Sequence, residues 1–405
     1  MKLFHKLLLA PATLGLLAPV VANANEANFG DVTSYSQEQV EVSLDSFKPL
    51  SNKNPLLAGG EGLSNSASSS DFDVDTFSST TSASFTANFA LGTVEGNSST
   101  DNLGMNFDWE MALTSSFTGN DSLDVVLNSG VSALFTELDM TNTSGSRVEV
   151  DTISYTAPLG DRVTAYVGSG NGIAGSALYN TACVYGAQAD TFSNCGVSAA
   201  NIDEGLGTAL GASFDFENGF TTSLAYEGEG MGTDGLLTDA GVDAYGIQVA
   251  YTGDSYGVSL SWANIENHTA ANAVQDGATQ STAINAYYAP DLGNFPSISA
   301  GFESNHDDNV SNTTADETSH YFIGLQWDEI GNGTLGAAVG TKEPYAENGD
   351  ALTMYEVFYS YNYADGITVT PLLYSKENSG STADETGIVL KLSLIHISEP
   401  TRLRH

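Results

Sequence analysis

The side chains best placed to do chemistry in this chain are carboxylates, and the chemistry they suit is the setting of an electric field. Asp108, Glu110, Asp124, Asp215 and Glu356 each fall on the polar phase of a run in which apolar and polar residues alternate. On a water-filled face their simplest role is solvation. Their functional role is to attract cations and repel anions, with Arg162 as a rare basic counterpart. Gln248, Asn285 and Gln326 share the polar phase and complete the set of candidates for a water-facing surface.

Other chemistries find little support. His5, His268, His306, His320, His396 and His405 show neither metal-ligand spacing nor a fixed acid partner, and no nucleophile stands beside a base. No catalytic residue, metal site or cofactor is therefore expected, and the chain does not read as an enzyme. NHDDN (305–309) could hold calcium weakly, but a solvated loop is the stronger reading. DFDVD (71–75) lacks the glycine and distal glutamate of a calcium loop. GNGIAG (170–175) fits G-x-G-x-x-G, yet a dinucleotide site would also need a following helix and a parallel sheet.

The elements that must position these residues are strands. In MNFDWEMALTSSF (105–117) every second residue from Met105 to Phe117 is apolar except Ser115, which predicts a strand with one apolar and one polar face. The same reading gives strands at 79–92, 105–117, 122–136, 147–157, 162–168, 207–217, 219–227, 242–252, 256–265, 280–289, 296–304, 318–328, 333–340, 352–363, 367–376 and 386–392. Short Gly-, Asn-, Asp- and Pro-rich turns such as TGND (118–121), PLGD (158–161) and ADG (364–366) alternate with long connections such as 169–206. A Greek-key sandwich has no reason to alternate in this way, whereas an up-and-down membrane barrel does. The expected fold is all-β, a 16-stranded antiparallel transmembrane β-barrel, with Trp109 facing lipid and Glu110 facing water.

Composition agrees. Fifty acidic residues against 11 basic ones give a formal net charge of -39, which argues against nucleic acid as a partner. Residues 1–24 read as a signal peptide: Lys2, His5 and Lys6, then an apolar run, then Ala22-Asn23-Ala24. Residues 25–75 form a polar leader, and 76–391 the barrel. Cys183 and Cys195 suit one disulfide in an exported chain; two free thiols or half a metal site are the alternatives.

Several segments resemble the carbohydrate-selective (OprB-type) outer-membrane porins, particularly their cyanobacterial branch. They are FSSTTSASFTANFALG (77–92), SSFTGNDSLDVVL (115–127), ISYTAPLGDRVT (153–164), INAYYAPDLGNFPSISAGF (284–302), YFIGLQWDEIGNGTLGAAVG (321–340) and YEVFYSYNYADGITVTPLLY (355–374). The resemblance implies a homotrimer in the cell outer membrane that passes small hydrophilic solutes, carbohydrates or ions, by diffusion. It also implies that the third outer loop, opened by GNGIAG, folds inward and carries Asp190, Asp203 and Glu204 to a constriction. The leader departs from those relatives in lacking a surface-layer homology domain. A structural or adhesive barrel with a closed lumen is the alternative function.

Residues 392–405 break the pattern. Pro400 ends any strand, and LSLIHISEPTR (392–402) resembles a translated sequencing adapter, so this tail is expected to be an assembly artefact.

Overall fold

The computed structural model describes residues 81–398, apart from 97–101, 132–134, 139, 141–146, 230–234, 239–240, 267–276, 309–315, 344, 347–348 and 380–382. The expected signal peptide, the leader with its DFDVD run, His5, His268, His405 and residues 399–405 lie outside the described residues.

One antiparallel sheet accounts for the fold. Its strands are β1 (Thr81–Glu95), β2 (Gly104–Ser115), β3 (Ser122–Val131), β4 (Glu149–Pro158), β5 (Val163–Gly170) and β6 (Thr208–Asp215). Next come β7 (Phe220–Gly228), β8 (Asp243–Thr252), β9 (Tyr256–Glu266), β10 (Ala278–Tyr288), β11 (Ser297–Asp307) and β12 (Glu317–Trp327). The last are β13 (Gly333–Thr341), β14 (Tyr345–Ala346), β15 (Thr353–Ala364), β16 (Ile367–Lys376) and β17 (Glu385–Ser398). Of these 17 strands β14 has only 2 residues and pairs at the start of β12, so sixteen strands build the wall. Each wall strand pairs with its sequence neighbour, and β1 pairs with both β2 and β17. The sheet therefore closes on itself and leaves no open edge.

Alternation decides what each face meets. In β9, Gly257, Ser259, Ser261, Ala263 and Ile265 are buried inside while Tyr256, Val258 and Leu260 are exposed outside. In β2, Asn106 and Asp108 point inward, and Met105 lies on the outer face with Trp109. A one-residue slip would reverse all of this, so the polarity of the two faces fixes the register. The exterior carries Leu210, Leu224, Ile247, Val249, Leu260, Ile284, Ile323, Val357 and Leu390, all exposed. At the rim with the short turns, aromatic rings pair on the outside: Phe117 with Tyr155 at 6.5 Å, Phe214 with Phe216 at 4.7 Å and Phe220 with Tyr251 at 4.8 Å between centroids. Several of the short turns bring a glycine to positive φ, among them Gly119 at 90° and Gly160 at 88°, where a side chain would strain the backbone.

Two strand boundaries differ from expectation for physical reasons. The strand expected over 122–136 stops at Val131, because Phe135, Leu138 and Met140 leave the wall and bury themselves inside the barrel. The strand expected over 386–392 runs on to Ser398, paired with β1 as far as Ala83 opposite Ser398. Within it the phase inverts: Ile395 opposes Thr86 and Ile397 opposes Ser84 on the inner face, while His396 opposes Phe85 on the outer one. Ile395 and Ile397 are both exposed.

Candidate functional site: the folded-in loop and the inner wall

The connection from β5 to β6, residues 171–207, does not stand clear of the barrel. It lies against the inner wall, and the wall's polar side chains hold it by its backbone. In the stretch 180–188 alternate N–H groups reach strands progressively farther along the wall. Asn180 N donates to Gln248 Oε1 of β8 at 2.6 Å, Ala182 N to Ser259 Oγ of β9 at 3.0 Å and Val184 N to Ser299 Oγ of β11 at 3.1 Å. Gly186 N then donates to Gln326 Oε1 of β12 at 2.8 Å, and Gln188 N to Glu356 Oε2 of β15 at 3.2 Å. The two-residue spacing follows from the extended backbone, whose N–H groups alternate sides. A loop buried without such partners would leave orphan donors, so the fastening is what lets it lie inside.

Three carboxylates anchor the ends and the middle. Glu227 of β7 accepts from Gly175 N at 2.6 Å, Glu204 N at 3.2 Å and Leu206 N at 3.3 Å, gripping the loop where it enters and leaves. Glu303 of β11 accepts from Ser198 N at 3.2 Å and Ala200 N at 3.0 Å. Glu356 accepts from Ala189 N at 2.5 Å and from the Tyr185 hydroxyl at 2.9 Å. A carboxyl group offers two oxygens that can each accept more than one hydrogen bond, which suits these positions as fasteners.

Cys183 and Cys195 are joined by a disulfide. Beside the bridge Asn194 and Cys195 both take positive φ, 51° and 57°, a conformation that costs a residue with a side chain. The glycines of GNGIAG serve close approach: a Cβ on Gly172 would come within 2.3 Å of the Asp151 carboxylate, and Gly175 N is the donor to Glu227. No helix of dinucleotide type follows; Gly175–Leu178 is a single 3-10 turn.

On the β12–β17 side the space between loop and wall is apolar. Tyr185, Phe192, Phe322, Phe358, Tyr374 and Leu372 pack there with Phe135 and Leu138 from the β3–β4 connection. Leu138 bridges to Ala189, and Glu137 pairs with Lys376, which also lies 3.2 Å from Glu385. On the β1–β5 side the inner face is acidic. Asp108 Oδ2 accepts from Asn88 Nδ2 at 3.1 Å, Glu110 faces inward opposite Thr86, and Asp124 accepts from Thr114 Oγ1 at 2.6 Å.

The sequence-predicted residues thus divide. Asp108, Glu110 and Asp124 lie together on the acidic wall. Gln248, Asn285, Gln326 and Glu356 also face inward but hold the loop, Asn285 Nδ2 donating to Asn194 O at 3.0 Å. Asp215 and Arg162 sit at the short-turn rim, where Arg162 pairs with Glu217. Asp190, Asp203 and Glu204 are exposed on the loop. Sequence reasoning missed Glu227 and Glu303, although both fall on the inward phase of their strands. It also missed Asp151, which a bulge between Val126 and Leu127 removes from simple alternation.

No protein-family model and no curated protein matches this chain. Solved structures do. The anion-selective porin from Comamonas acidovorans superposes with a TM-score of 0.54 at 15% identity, over 78% of this chain and 99% of that one. A mutant of the Rh. blastica porin superposes with a TM-score of 0.52 at 13% identity, over 78% of this chain and 100% of that one. At such identities the likeness is one of architecture, and that architecture is the closed sixteen-stranded barrel of the bacterial porins.

Proposed function

We propose that the chain is an outer-membrane porin of the carbohydrate-selective type, a homotrimer passing small hydrophilic solutes by passive diffusion with a mild preference for cations. The observation that carries this reading is the polarity of the barrel: an apolar exterior around an inner face of carboxylates, amides and hydroxyls. An exterior of that kind is stable against hydrocarbon, and a closed sheet satisfies every backbone group there. The passage is narrowed by the loop 171–207 and runs beside Asp108, Glu110 and Asp124. Carboxylates along a narrow passage favour cations and neutral solutes over anions. The Comamonas relative in fold is named for the opposite preference.

Liposome swelling with sugars of increasing size, and reversal potentials in a salt gradient, test the reading together. Swelling with small sugars and a cation-signed potential are expected; an impermeable liposome would overturn it. A second reading, a barrel with a closed lumen acting as a structural element, is favoured by the apolar cluster around Phe192, Phe322 and Tyr374 inside the barrel. Absence of conductance from a correctly folded protein would select it.

A further inference from the structure

The loop 171–207 is not alone inside the barrel. The connection from β3 to β4 also turns inward: Phe135, Leu138 and Met140 are buried, while Thr136 between them stays exposed. Leu138 forms a single antiparallel bridge with Ala189 of the loop, and Asp190 N donates to Glu137 O at 3.0 Å. The three apolar side chains belong to one packed cluster with Ala90 and Val94 of β1, Leu372 and Tyr374 of β16, and Val389 of β17. The connection therefore lies as a strap across the inner wall of β16, β17 and β1. Lys376 is the last residue of β16 and Glu385 the first of β17, which sets the strap at the long-loop mouth.

One charged contact ties the strap to that wall. Lys376 stands directly opposite Glu385 across the β16–β17 pair, its Nζ 3.2 Å from the carboxylate, and it also pairs with Glu137 of the strap. The side chains of Lys376, Glu137 and Glu385 are only 7%, 12% and 14% exposed. Buried charges are costly to desolvate, and apolar side chains of like volume would hold the strap at least as firmly. What the charge adds is position. Phe135, Leu138 and Met140 could meet an apolar wall at several places, whereas Glu137 is satisfied only where Lys376 stands. Glu385 alone is enough to partner Lys376, so the second carboxylate serves the strap.

A strap held there fills the space between the folded-in loop and the wall of β16, β17 and β1. Solutes are left the side of β2–β5, where Glu110, Asp124 and Asp151 stay half-buried. We infer that the β3–β4 connection is a second element narrowing the passage, and that Lys376 is the residue that positions it. Lys376 touches no solute; it acts through Glu137. This deepens the channel reading and rests on it, since the strap then sets the size of solute that enters.

The test measures how readily water reaches the wall beneath the strap. Both native cysteines are bridged, so Leu372→Cys, within the packed cluster, supplies the single free thiol of the full chain. In that background the thiol is expected to react slowly with a charged maleimide. Adding Lys376→Met should make it react roughly tenfold faster, because the strap loses its fixed place, and Lys376→Arg should restore the slow rate. Glu137→Ala, which leaves Lys376 paired with Glu385, should act as Lys376→Met does and serves if that variant does not fold. Single-channel conductance should rise roughly twofold in the same variants, with the heat resistance of the barrel on a gel unchanged. Unchanged labelling in a folded variant, equal acceleration by Lys376→Arg, or acceleration only where heat resistance is lost would each overturn the assignment. Labelling is read without conductance: a silent unaltered chain counts against the channel reading, and unchanged labelling against this one.

Discussion

The hydroxyl of Tyr185, in the folded-in loop, donates to Glu356 Oε1 of β15 at 2.9 Å, with both side chains buried inside the barrel. The same carboxylate takes Ala189 N on its other oxygen and Gln188 N at 3.2 Å, so one side chain of the wall holds three residues of the loop. Glu356→Ala removes all of these contacts and leaves buried donors without a partner, at a cost on the order of 3 kcal/mol. The expected outcome is a lower urea midpoint together with larger and noisier single-channel conductance. Glu356→Gln, which keeps an acceptor, should fall between the two.

The bridge between Cys183 and Cys195 closes a ring within that loop. Its loop-entropy contribution is roughly 3 kcal/mol. Reduction, or Cys183→Ser with Cys195→Ser, should raise or destabilise the conductance. Unchanged conductance after thiol titration has verified reduction would place the loop outside the narrowest part of the passage.

Selectivity should follow the acidic wall. In a gradient of potassium chloride the reversal potential is expected to be mildly cation-signed, mild because a Debye length of about 8 Å at physiological salt screens the wider parts. Glu110→Gln with Asp124→Asn should move the potential toward zero without changing the heat stability of the barrel. An anion-signed potential in the unaltered protein contradicts the field argument.

Asp121, in the turn between β2 and β3, gathers the backbone N–H groups of Phe117 and Thr118, and the Tyr155 hydroxyl at 2.7 Å. The Thr118 N–H, followed by the hydroxyls, holds its carboxyl well below the usual carboxylate range. A depressed folded-state value contributes stability above the unfolded carboxylate pKa, which is lost as pH falls toward the depressed one. Asp121→Ala should therefore lower the thermal midpoint at neutral pH and by the same amount down to about pH 5. Below that the gap to the unaltered protein should narrow. A gap that widens on acidification would contradict the sign.

The phase inversion in β17 sets Ile395 and Ile397 toward the lumen and His396 outward. If the outer face meets lipid, Ile395→Ser, His396→Phe and Ile397→Ser together restore the alternation. Heat-resistance on a gel and the yield of inserted barrel should both rise. No gain would show that the rim at that end tolerates either phase, and would remove one physical argument for regarding residues 392–405 as foreign.

Much of this architecture was legible because a strand with one wet face writes its period into the sequence. Leu210, Ala212, Phe214 and Phe216 against Ser213 and Asp215 admit one reading, and β6 and its neighbours lie within a residue or two of where it puts them. Connections carry no such period. The polar wall residues were assigned to the lumen from alternation, but nothing in the phase of Gln248 or Glu356 says that a loop 60 or more residues earlier will take them as acceptors. Phe135 looks like the end of a strand if apolar residues face outward, whereas a loop folded into the barrel gives it an apolar interior. Asp151 was hidden by a bulge, which shifts the count by one.

The seam between β1 and β17 has a kinetic consequence. Ala83 meets Ser398, so the first wall strand finds its second partner only when the last one has been made. Until then the growing sheet has two unsatisfied edges, and any strand of another chain can pair with them. Contacts so distant in sequence form slowly. The nascent polypeptide must therefore be kept apart from its copies until closure, and the yield of functional protein should depend more on holdase supply than on the strength of any single contact in the finished wall.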